Sequence, residues 1–125
     1  MPENSCIKLT IAFNDPDLDS EELEEQAQNL LAQMRDLDEI ETIDRVLDPN
    51  PPEGNKSAGA ILVGVLTAQV NKENAQMVMR FLFDRIGPKP IELEVEANGK
   101  KLKVKVNNQA DLALAIEAAE KFIEP

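Results

Sequence analysis

Ile7, Leu9, Ile11 and Phe13 alternate with Lys8, Thr10 and Ala12. A period of two over this length predicts a strand with one buried face. Asn14-Asp15-Pro16-Asp17 ends the run with turn-forming residues. Asp19 and Ser20 are both suited to cap a helix, and Glu21, Glu22, Glu24 and Glu25 follow at the positive end of its dipole. Leu23, Ala27, Leu30, Leu31, Met34 and Leu37 then recur at helical spacing, which predicts a helix from about 20 to 36. Ile43 and Leu47 suit a short edge strand.

Asp48-Pro49-Asn50-Pro51-Pro52-Glu53-Gly54-Asn55-Lys56 predicts a loop, because three prolines and a glycine oppose regular structure. Ser57 can cap the element that follows. From Ala58 to Val70 the apolar residues would surround a helix instead of lining one side. That pattern predicts a buried helix, or a helix whose apolar face is kept for a partner. Gly59 and Gly64 would permit close backbone approach in either case. Asn71-Lys72-Glu73-Asn74 interrupts the run. A second amphipathic stretch through Ala75, Val78, Met79, Leu82, Phe83 and Ile86 stops at Gly87-Pro88. One long helix and two helices with a kink both fit this region.

Asn98-Gly99 between two alternating runs signals a type I′ hairpin. It sets Ile91 against Val106, Leu93 against Val104 and Val95 against Leu102 on one face. The other face then sets Glu92 against Lys105, Glu94 against Lys103 and Glu96 against Lys101, which disfavours a one-residue slip. Asn108 caps a last helix with Asp111 in its first turn, and Leu112, Ile116, Ala119 and Ile123 form its stripe with Phe122 beside it. The expected fold is therefore α+β, in the order β-α-β-α-β-β-α. It is a two-layer sandwich of a mixed four-stranded sheet and three or four helices, in one domain over 1–125. The loop 48–56 would separate a βαβ half, with a parallel right-handed crossover, from a helix-hairpin-helix half.

Charge and composition narrow the function. The chain carries 24 acidic and 13 basic residues, a net charge of −11, which opposes binding to phosphate backbones or anionic membranes. No apolar run reaches the roughly 20 residues of a membrane span. Histidine is absent, which removes imidazole bases and the usual triads. Cys6 is the lone cysteine, so neither a disulfide nor a zinc set is available and the thiol has no base partner. Together with a signal-free Met1–Asn4 segment this reads as a cytoplasmic protein.

Three weaker chemical patterns have structural readings. Carboxylates are numerous enough for an acid pair, but they fall on solvated helix faces and in the hairpin pattern. Asp15, Asp17 and Asp19 open like a calcium loop, yet its sixth and twelfth places hold Ser20 and Gln26. Helix-capping acids are the better account of them. Gly54-Asn55-Lys56-Ser57 lacks the contiguous Gly-Lys and the earlier Gly of a phosphate loop.

Residues 51–57, Pro-Pro-Glu-Gly-Asn-Lys-Ser, follow a βαβ opening and precede a small-residue apolar segment, a hairpin and a last helix. This arrangement resembles the effector-associated constant component family. Those small bacterial proteins are encoded beside effectors such as caspase-like or trypsin-like peptidases and STAND-type NTPases, in conflict or immunity systems. The likeness spans most of the chain and rests on element order and on the Gly54/Lys56 junction. The chain departs from it in the polar insert Asn71 to Asn74, and in carrying Phe81 and Phe83 near the end of the second apolar run. The resemblance implies an adaptor or regulatory component that needs no cofactor and has no catalytic residues. Its partner is expected at Gly54, Lys56, Ile61, Leu62, Val65 and Leu66. A small oligomeric module, and a cation- or ligand-binding subunit using the 15–19 loop, are the alternatives.

Overall fold

The computed structural model describes residues 6–48, 61–87, 89–97 and 99–123, apart from the side chains of Gln109 and Ile116. Five strands and three helices follow in the order β1 (Cys6–Phe13), α1 (Ser20–Arg35), β2 (Ile40–Leu47), β3 (Ile61–Asn71), α2 (Lys72–Ile86), β4 (Ile91–Ala97), β5 (Lys100–Val106) and α3 (Gln109–Ile123). The strands form one sheet in the order β2-β3-β1-β4-β5, and every ladder in it is antiparallel. The class is α+β, but the sheet is neither four-stranded nor mixed.

The largest correction concerns residues 61–71, expected as helix and found as β3. Ile61, Val63, Val65, Thr67 and Val70 are β-branched and suit a pleated surface. The run looked two-sided because β3 lies inside the sheet, with neighbours on both edges. Asn71, expected to interrupt a helix, instead ends β3 and caps α2, its side chain accepting the Asn74 amide at 3.1 Å. Ser57, like residues 49–60 as a whole, lies outside the described residues.

A second correction follows from the first. β1 and β2 run parallel, as a crossover requires, but β3 lies between them and pairs antiparallel with both. The first four strands and two helices thus make the split βαβ arrangement of ferredoxin-like folds, extended by β5 and α3. β2 is an edge strand, as expected.

The register sets the layers. Ile7, Leu9 and Ile11 stand beside Val70, Ala68 and Leu66 on β3. On the other side Leu9, Ile11 and Phe13 stand beside Val95, Leu93 and Ile91 on β4. All are buried in one cluster with Ala27, Leu30 and Met34 of α1, with the α2 stripe, and with Ala115, Ala119 and Ile123 of α3. The helices therefore cover one face, and the opposite face displays Lys8, Thr10, Thr67, Gln69 and the hairpin charges.

Local chemistry explains the helix ends. Asp19 accepts the Glu22 amide at 2.9 Å while Glu22 returns a bond to the Asp19 amide, a capping box that starts α1. Asn108 accepts the Asp111 amide at 2.9 Å and starts α3. The predicted α2 stripe, Ala75, Val78, Met79, Leu82, Phe83 and Ile86, is buried throughout.

The hairpin has the expected register from Ile91↔Val106 to Ala97↔Lys100, with Gly99 at φ +76° where a type I′ turn requires it. Its partner in the turn, Asn98, lies outside the described residues. The ion pairs run partly on the diagonal. Lys105 meets the opposite Glu92 at 3.6 Å, while Lys103 also reaches Glu92 at 3.7 Å and Lys101 reaches Glu94 at 3.6 Å. Long lysines span the diagonal of a ladder. The lysines are largely exposed, so each pair contributes no more than about 1 kcal/mol.

Leu9 sits fully buried on the central strand. Leu9→Ala is expected to lower unfolding free energy by about 2–5 kcal/mol in urea titration, whereas Leu114→Ala, 65% exposed on α3, should change it by less than about 0.5 kcal/mol.

Candidate functional site

The sheet departs from regularity at the outer end of β2 and β3. Arg45 pairs with Leu66, but Leu47 pairs with Ile61, so Leu62 to Val65 stand opposite one residue of β2. That surplus is a bulge. Gly64 within it has φ +74°, a conformation that side chains resist. A β-carbon there would also lie 3.3 Å from the Leu23 β-carbon and 3.3 Å from the Phe13 carbonyl oxygen. Only glycine lets α1 approach the strand this closely.

One charged pair holds the bulge in place. Arg45 shares a register position with buried Leu66, which places a cation on the helix-covered side of the sheet. Glu24, on α1, meets it with both carboxylate oxygens. The Arg45 Nη1 bonds Glu24 Oε2, and Nη2 bonds Oε1 at 2.6 Å. Arg45 also donates to the carbonyls of Val65 at 2.9 Å and Leu62 at 3.2 Å, one at each end of the bulge. Glu24 completes the ring by accepting the Gly64 amide at 3.1 Å and the Gln28 side-chain amide at 3.1 Å. The guanidinium beside Glu24 holds its carboxyl down from 4.5 to about 2, with the Gly64 and Gln28 bonds acting in the same direction against partial burial. The pair is 17% and 21% exposed, a setting in which loss of one partner is costly.

The bulge changes what β3 presents. Counting outward in twos from Leu66 would place Val63 on the open face, away from the helices. Instead Val63 lines an open groove of about 660 Å³ with Glu21, Glu24, Glu25 and Gln28 of α1. Bulges re-aim side chains in this manner. Val63 is 47% exposed, its strand neighbour Ile61 is 37% exposed, and Leu47, the Cα partner of Ile61, is 62% exposed. These three make up most of the five exposed large hydrophobics among the described residues.

The residues expected to bind a partner are divided by this geometry. Ile61 lies in the aliphatic patch. Leu62 and Val65 are half-buried and serve the bulge through their carbonyls. Leu66 is fully buried in the core and is corrected from binding residue to core residue, because as a strand the segment turns it under α1. Gly54 and Lys56 lie outside the described residues. Leu47 and Val63 belong to the patch but were not singled out from the sequence. The only sequence signal for it was Gly64, which marked a close backbone approach.

The other candidates resolve as local structure. In the acidic loop, Asp15 accepts the Asp17 amide at 3.0 Å and Asp19 caps α1. Among the described residues no three acidic or sulfur ligands group to hold a metal ion. Cys6 is exposed, and partial desolvation of its sulfur together with the neighbouring Glu41 carboxylate pushes the thiol pKa up, away from nucleophilic use. Among the described residues no helix is long and apolar enough to cross a membrane.

Because its pKa is depressed in the fold, Glu24 stabilises the protein above pH 4.5 and loses that contribution as pH falls toward 2. Glu24→Gln should therefore lower unfolding free energy by about 3 kcal/mol at pH 7, with the gap to the unmodified protein narrowing from pH 4.5 downward in urea titrations. A gap that stays constant to pH 2.5 would contradict the assignment. No protein-family model matches the chain, and no curated protein matches it.

Proposed function

We propose that this protein is a non-enzymatic adaptor or regulatory component that binds another protein through the outer end of β2 and β3. The partner class suggested by the resemblance is a peptidase-type effector or its NTPase regulator. The observation that carries the reading is the exposed group Leu47, Ile61 and Val63. Burying apolar surface yields about 25 cal/mol per Å², and three exposed aliphatic side chains at one end of the sheet supply the apolar centre that protein interfaces use. The chain has no Trp or Tyr, so its partner surface is expected to rest on aliphatic or charged side chains.

The location suits such a role. The core beneath the helices is complete without these three side chains, so a partner can cover them without disturbing the fold. Among the described residues β2 is also an edge of the sheet, where a strand can be added.

Co-expression with a peptidase-type or NTPase protein encoded by a neighbouring gene tests the reading. A complex should form and survive size-exclusion chromatography, and Leu47→Asp should weaken it at least about tenfold, or about 1.4 kcal/mol. Lys103→Asp, at the far side of the sheet, should leave it intact. Absence of a complex, or equal binding by Leu47→Asp, would overturn the proposal.

A further inference from the structure

The groove beside α1 carries a charge pattern that specifies the chemistry of its occupant, an inference that rests on the protein-binding reading above. Val63 supplies its apolar lining, and Ile61 and its ladder partner Leu47 are exposed at the same end of the sheet. The wall is acidic: Glu21, Glu22, Glu24 and Glu25 all border it, and among the described residues that line it there is no lysine or arginine. Two of these carboxylates are already engaged. Glu24 is neutralised by Arg45, and Glu22 closes the capping box on the Asp19 amide. Glu21 and Glu25 are exposed and form no ion pair among the described residues.

Glu21 and Glu25 are four residues apart on α1, hence on one face and about 6 Å apart along the axis. Lysines at the same spacing on a facing helix would match them. An acidic or neutral occupant would leave both carboxylates uncompensated beside an apolar floor, and desolvating a charge without a partner is unfavourable. A second copy of this chain meets the same objection, since each copy carries −11. Its clustered lysines on β5 already lie against Glu92 and Glu94.

We infer that the groove between α1 and the bulged end of β3 receives an amphipathic helix of the partner protein, aliphatic on one side and lysine- or arginine-rich along the flank. Its apolar face covers Val63, Ile61 and Leu47, and its basic flank meets Glu21 and Glu25. The mode is helix-in-groove recognition, with charge supplying orientation and selectivity against acidic partners.

The test uses the full chain and three labelled synthetic peptides of about 18 residues, the length of five helical turns. These are an amphipathic Leu/Lys peptide, a scrambled Leu/Lys peptide of equal composition, and an amphipathic Leu/Glu peptide. Fluorescence anisotropy should show saturable binding of the amphipathic Leu/Lys peptide alone. Val63→Asp, and separately the pair Glu21→Gln with Glu25→Gln, should each weaken that binding at least about tenfold. Circular dichroism and melting temperature identify any variant that fails to fold, and Lys103→Asp serves as the distant control. Equal binding of the scrambled peptide, binding of the Leu/Glu peptide, or indifference to all the groove variants would overturn the inference. A dimer in sedimentation that Val63→Asp abolishes would assign the groove to a second copy and overturn it equally. If the peptide result fails while Leu47→Asp still breaks the complex with the co-expressed partner, the protein-binding reading stands and only the basic-helix assignment falls.

Discussion

The forked ion pair between Arg45 on β2 and Glu24 on α1 ties the helix to the β2–β3 ladder, which backbone hydrogen bonds alone would leave unattached to it. Arg45 holds both ends of the β3 bulge by their carbonyls, and Glu24 holds its middle through the Gly64 amide. A β3 strand in regular register would place a residue opposite each residue of β2 and send Val63 to the open face. At the bulge that the pair spans, β3 instead carries surplus residues, Gly64 has a positive φ, and Leu23 packs where a side chain would otherwise stand. A partly buried pair of this kind stabilises modestly when intact and costs several kcal/mol when one half is lost. It thus acts as a register device as much as a source of stability.

The placement of the proposed docking surface follows from that register. Ordinary alternation buries one side of every strand under the three helices and leaves the other side to charges and threonines. Such a sheet has no reason to expose aliphatic side chains next to a helix. The bulge creates the exception at one end, where Val63 turns toward α1 and Leu47 and Ile61 close the ladder. Function is therefore proposed where the regular pattern stops, beside Glu21 and Glu25 of α1, which form no ion pair among the described residues.

Much of the fold was legible because local and pairwise signals agreed. The hairpin register follows from Asn98-Gly99 and from matched apolar and charged pairs, and α1 is announced by Asp19 and by the stripe from Leu23 to Met34. The α2 stripe is equally plain. Residues 61–71 misled because an inner strand next to a bulge has apolar neighbours on both sides. Its apolar run is long enough for a helix, and periodicity cannot separate the two. The β-branched residues and Gly64 pointed to a strand. That single misreading also moved the expected site, since helical spacing groups Ile61, Leu62, Val65 and Leu66, whereas a strand buries Leu66 and brings Val63 and Leu47 into the patch. The Glu24–Arg45 pair was illegible for a different reason: its partners are 21 residues apart in sequence and meet only through tertiary packing.

The Gly64 amide reports most directly on whether Glu24 holds the bulge. Residue-resolved hydrogen exchange by NMR should find this amide strongly protected, and Glu24→Gln should speed its exchange by at least about tenfold while Leu66 and Ala68 in the same strand stay protected. Rapid exchange at Gly64 in the unmodified protein, or protection unchanged by Glu24→Gln, would contradict the account.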